Sequence, residues 1–121
     1  MSEHEMEIVL DETHFRRIIS ESSSEDTANQ LADAFSTQVT QIVDELNGLL
    51  NSGGTAEQTA RGLLHRLRGS AEVIGARRLS YITRSVLEND QDGFYSALRS
   101  ALPSLHETIE DTLMEIRKKA G

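Results

Sequence analysis

Between residues 27 and 50 the apolar positions Leu31, Phe35, Val39, Ile42, Val43, Leu46, Leu49 and Leu50 recur with a helical period. Alternation with period two fails throughout that stretch, so it predicts one long amphipathic helix. Upstream, residues 1–10 read as a loose tail that ends in the apolar group Ile8, Val9 and Leu10. Asp11 then offers an N-cap for a short helix with Phe15, Ile18 and Ile19 on one face. The polar run 21–26 reads as a connector that supplies the cap of the long helix. Gly53 and Gly54 break that helix, because two glycines hold helical backbone at a high entropic cost.

Thr55 and Gln58 have capping-box spacing and predict a third helix reaching about Ile74, where Gly75 either ends it or marks a close contact. A fourth helix turns Leu79, Ile82, Val86 and Leu87 inward, with Asn89 as its C-terminal signal. Asp92 is placed to cap a short helix carrying Phe94, Leu98 and Leu102, which Pro103 interrupts. Ser104 and Glu107 form a second capping box for a last helix with Leu105, Ile109, Leu113 and Ile116 along its seam. Arg117, Lys118 and Lys119 suit the negative end of that helix's dipole. These elements predict an all-α fold, an antiparallel four-helix bundle with short accessory helices. With no linker or repeat, residues 1–121 are expected to form a single domain.

Composition narrows the function classes. A chain of 121 residues has room for one hydrophobic core. One proline and 4% aromatic residues disfavour a β-sandwich or barrel. The absence of cysteine excludes disulfides, thiolate metal sites and cysteine nucleophiles. No apolar run approaches the roughly 18 residues of a membrane span, and the acidic start is wrong for a leader peptide, so a cytoplasmic location is expected. The formal charge is −8, the wrong sign for a nucleic-acid binder. Yet residues 61–84 hold six arginines against the single acid Glu72, a local charge of +5. An acidic protein with one basic stripe presents that stripe to a partner.

The stripe surrounds a histidine. Residues 61–75 read Arg-Gly-Leu-Leu-His-Arg-Leu-Arg-Gly-Ser-Ala-Glu-Val-Ile-Gly. With His65 at zero on a helix turning about 100° per residue, Leu63, Leu67 and Ile74 fall at roughly 160°, 200° and 180°. His65 therefore lies opposite the core face. Arg61, Arg68, Gly69 and Glu72 share its side. An isolated surface histidine needs no functional reading, but this one has a mid-helix glycine beside it that costs about 1 kcal/mol relative to alanine. The missing side chain lets another protein approach the imidazole, a good nucleophile near neutral pH. Arg68 sets a permanent cation beside it. An exposed nucleophile, a cation and no pocket together suggest a phosphoryl carrier whose partner brings the rest of the active site.

The run His65-Arg66-Leu67-Arg68-Gly69-Ser70-Ala71, followed by Gly75-Ala76 and Leu79, resembles the signature of histidine-containing phosphotransfer domains. That resemblance implies a helical bundle in which His65 accepts a phosphoryl group from the aspartate of one receiver domain and donates it to another. The receivers implied belong to a hybrid histidine kinase, a response regulator or both. Arg68 stands where the family usually has lysine and would neutralise phosphoryl oxygens, and Gly69 would give the receiver access. The chain would be a phosphocarrier and not an enzyme. It would carry no cofactor of its own, with Mg²⁺ and an acidic pocket supplied by the receiver. A monomer is expected, since His65 must stay accessible. Arg61, Gly69 and Glu72 complete the expected partner-binding surface.

Glu72 departs from the family pattern, which usually has a small residue there. It lies on the His65 side about 10 Å along the axis. Either it selects the receiver, or it simply pairs with Arg68 at i, i+4. Arg77 and Arg78 either touch a receiver or cap helix carbonyls. Di-metal chemistry would need Glu and Glu-x-x-His sets in the bundle core, which His4, His14, His65 and His106 do not form. No phosphate-binding glycine loop or nucleophile elbow is present. The rival reading is an adaptor of the same fold that binds and inhibits a receiver or kinase without being phosphorylated.

Overall fold

The computed structural model describes residues 7–20, 27–53 and 56–120, which form five α-helices. They are α1 (Glu12–Ser20), α2 (Thr27–Asn51), α3 (Glu57–Ile74), α4 (Arg77–Leu87) and α5 (Phe94–Ala120). No strand occurs among the described residues. Helices α2, α3, α4 and α5 pack in a closed ring, each on its two neighbours, and α1 lies against α3. Ion pairs fix the directions. Arg117 near the end of α5 meets Asp33 near the start of α2 at 3.2 Å, and Arg78 at the start of α4 meets Asp111 late in α5 at 3.3 Å. Neighbouring helices therefore run antiparallel. The fold is the all-α antiparallel bundle that the periodicity predicts.

The core is built from the residues that carry that periodicity. Phe15, Ile42, Leu46, Leu64, Leu67, Leu79, Phe94, Leu98, Leu105 and Ile116 are fully buried. Asp11 caps α1 as expected, its Oδ1 accepting the His14 backbone N–H at 3.1 Å. Residues 1–6 of the expected tail lie outside the described residues, whereas Leu10 at its end is buried in the core. The connector 21–26 and Thr55 of the first capping box also lie outside the described residues. Ala56 stands at the N-cap of α3 and makes no side-chain cap bond. Asn89 ends α4 through its side chain, whose Nδ2 donates to the carbonyls of Ser85 and Val86.

Two expectations about the C-terminal third are corrected. Residues 94–120 form one helix that passes through Pro103, so the accessory helix and the last helix are a single element. Leu98 and Leu105, both fully buried, hold the chain on either side of the proline. Arg99 and Pro103 are exposed, so the backbone bond that the proline removes lies on the solvent side of the helix. Ser104 and Glu107 therefore lie in mid-helix and start nothing. At the front of α5, the Gly93 carbonyl accepts the Ala97 N–H, and Asp90 rather than Asp92 accepts the Gly93 N–H.

Gly75 ends α3 in the left-handed conformation at φ +86°. The Gly75 N–H bonds the carbonyls of Ala71 and Glu72 and the Ala76 N–H bonds Ala71, which is a Schellman turn. A Cβ at Gly75 would stand 2.9 Å from His14 Cδ2. The chain entering α1 crosses here: the Asp11 N–H donates to the Gly75 carbonyl at 2.8 Å, and His14 Nε2 lies 2.9 Å from the Val73 carbonyl. Both sequence readings of Gly75, terminator and close contact, hold together.

Candidate functional site

Helix α3 carries the candidate residues, and its burial pattern orients them. Leu63, Leu64, Leu67, Ala71 and Ile74 point into the core. His65, halfway along the helix, is exposed and has no hydrogen-bond or ion-pair partner among the described residues. Its ring is therefore available to a reacting group from outside.

One turn on, the Arg68 Nε donates to Glu72 Oε1 at 2.7 Å. The i, i+4 pairing expected as one of two readings of Glu72 is thus formed, on a solvated face. Gly69 is exposed, and a Cβ placed there would meet nothing within 4 Å. The chain's own packing does not require this glycine, unlike Gly75. Gly62, one turn before His65, is equally exposed and equally unconstrained.

A family model described as the Hpt domain matches residues 30–118. The chain belongs to the Hpt domain family. Hpt domains act in two-component phosphotransfer, as carrier modules rather than enzymes, and interact with receiver and kinase proteins. No curated protein and no solved structure matches the chain. No helix among the described residues is long and apolar enough to cross a membrane. No group of three or more His, Asp or Glu among them is arranged to hold a metal ion.

Within this Hpt domain Arg61 has a different setting from its expected company. Its Nε donates to Glu57 at 2.7 Å, its Nη1 to the Leu87 carbonyl at 3.0 Å and its Nη2 to the Asn89 carbonyl at 2.7 Å. The guanidinium also lies 4.3 Å above the Phe94 ring. The residue is a clamp between the start of α3, the end of α4 and the start of α5. The angular projection places it beside His65, but the length of its side chain carries the charge away to the neighbouring helix. Arg77 and Arg78 likewise reach acids on other elements, Asp11 at 3.5 Å and Asp111 at 3.3 Å.

The sequence reading missed a groove. Val73 on α3 is 72% exposed, and a cavity of about 480 Å³ runs beside it between α2 and α3, with Leu31, Ala34, Phe35, Arg66 and Gly69 on its walls. Its lining is mostly apolar, and Gly69 joins it to the His65 side of the helix. Val73 was the available signal, an aliphatic residue off the core face. Which α2 residues would meet it depends on how the two helices pack.

Proposed function

We propose that this Hpt domain relays a phosphoryl group between receiver-domain aspartates through phospho-His65, working as a monomer in the cytoplasm. The observation that carries the reading is the exposed His65 at the middle of α3, without a partner among the described residues and beside a glycine its own fold does not need. In the forward step a neutral ring nitrogen uses its lone pair to attack phosphorus of the receiver's aspartyl phosphate. The P–N bond forms as the P–O bond to the carboxylate breaks, and the carboxylate leaves with the electron pair. The proton on the other ring nitrogen stays there, and the reverse sequence delivers the phosphoryl group to a second receiver. Arg68 neutralises phosphoryl oxygens during transfer. The chain brings no cofactor; Mg²⁺ and the acidic pocket belong to the receiver.

Gly69 and Gly62 leave room for the receiver's backbone, and the apolar groove beside Val73 suits an apolar helix face on the same partner. Arg61 supports the bundle end and leaves the partner surface to these residues. The test is transfer from phosphorylated receiver domains, read by intact mass on wild type and His65→Ala in parallel. Acid-labile phosphate on wild type alone is expected. Receivers that bind both proteins equally and phosphorylate neither would replace the relay with the adaptor reading.

A further inference from the structure

Glu72 is an acid where the site has to accommodate a phosphoryl dianion, and the structure gives it a specific contact. Arg68 Nε is bound to its carboxylate at 2.7 Å, while the two terminal nitrogens of Arg68 have no partner among the described residues. The pair points along α3 away from His65, because Glu72 lies one turn beyond Arg68 and His65 one turn before it. Both side chains line a polar cavity of about 350 Å³ together with Arg77 and Arg84, and His65 is not part of its wall. In the unphosphorylated protein, then, the cation one turn beyond the nucleophile on its own side of α3 is engaged elsewhere.

We infer that Glu72 is a positioning residue for phosphoryl uptake: it holds the Arg68 guanidinium off His65, and the incoming phosphoryl group must draw Arg68 out of that ion pair. The inference rests on the relay reading for its biological meaning, though its chemistry does not require a receiver. Three features make the pair a weak hold. The side chains are 36% and 52% exposed. The base precedes the acid along the helix, the less favourable order against the dipole. A phosphoryl group also offers a guanidinium two oxygens of higher charge than a single carboxylate contact. Arg68 is thus available to phosphate at a modest cost that Glu72 sets, which tempers both uptake and the stability of the phosphorylated state.

Phosphoramidate tests this without a partner protein. Water-exposed imidazole uses its lone pair to attack phosphorus of the N-protonated form; the new P–N bond forms as the bond to the ammonium nitrogen breaks, and ammonia leaves with that electron pair. The uptake rate at His65 is measured by peptide-resolved mass for wild type, Glu72→Gln, Arg68→Ala and the double variant, with His65→Ala as the background. Glu72→Gln is expected to take up phosphate about two-fold faster, the fold-change that an exposed i, i+4 ion pair is worth. Arg68→Ala is expected to be slower than wild type, and in that background Glu72→Gln loses most of its acceleration. Urea unfolding of all four proteins is expected to differ little, since the pair is exposed.

Equal acceleration in both backgrounds would overturn the inference, because Glu72 would then act by its own charge and not through Arg68. So would a Glu72→Gln rate equal to wild type. If receivers fail to transfer while this coupling is present, the relay reading falls and the Arg68–Glu72 inference stands.

Discussion

At the scale of single residues, the site depends on what is missing as much as on what is present. Gly69 lies exposed in mid-helix with open space where a Cβ would be. Gly69→Ala is therefore expected to stabilise the protein by about 0.5–1 kcal/mol in urea unfolding, the usual difference between the two residues in a helix. The same substitution is expected to slow transfer from a receiver, while uptake from small phosphoramidate changes little. A protein that is more stable and equally fast with receivers would remove the steric role of Gly69. Much of this residue-scale picture was legible in the sequence. His65, Gly69 and Leu67 differ in facing by angles that helical geometry alone dictates. What Gly75 contacts could not be read that way, because its neighbour His14 is distant in sequence, whereas Gly69 meets open space.

At the scale of elements, α5 shows how packing overrides a local signal. Pro103 removes one backbone donor and crowds the preceding turn, which in an isolated peptide would end the helix. Here buried Leu98 and Leu105 on both sides of it belong to one core, and Pro103 itself is exposed. Pro103→Ala is accordingly expected to raise stability, by about 1–3 kcal/mol on helix propensity, without changing phosphoryl uptake. Unchanged or lowered stability would mean that the turn around Pro103 has a conformation alanine does not favour. Helix α1 is the opposite case, a short element with a strong local start at Asp11 that owes its position to distant contacts. Lys119 donates to Glu12 at 2.7 Å, and that hydrogen bond, reinforced by the lysine's charge, holds the Glu12 carboxyl below its ordinary pKa.

At the scale of the whole molecule, the bundle presents α3 with one face in the core and the other open, and its end is closed by Arg61. That side chain donates to the Leu87 carbonyl at the end of α4 and the Asn89 carbonyl just beyond it, and covers the Phe94 ring at the start of α5. Arg61→Ala is expected to destabilise the fold by about 1–3 kcal/mol, the range for hydrogen bonds from a charged group and the carbonyls it leaves behind. Under conditions where the variant remains folded, uptake from phosphoramidate is expected to match wild type. Normal stability with collapsed receiver transfer would instead return Arg61 to the partner surface. By itself the sequence determined the helical class, the core positions and the outward facing of His65, since each follows from a period of 3.6 residues along one chain. Tertiary structure decided the rest: the continuity of α5 through Pro103, the groove between α2 and α3, and the role of Arg61. These depend on which helices become neighbours and how far a long side chain reaches across them, and no local period encodes either.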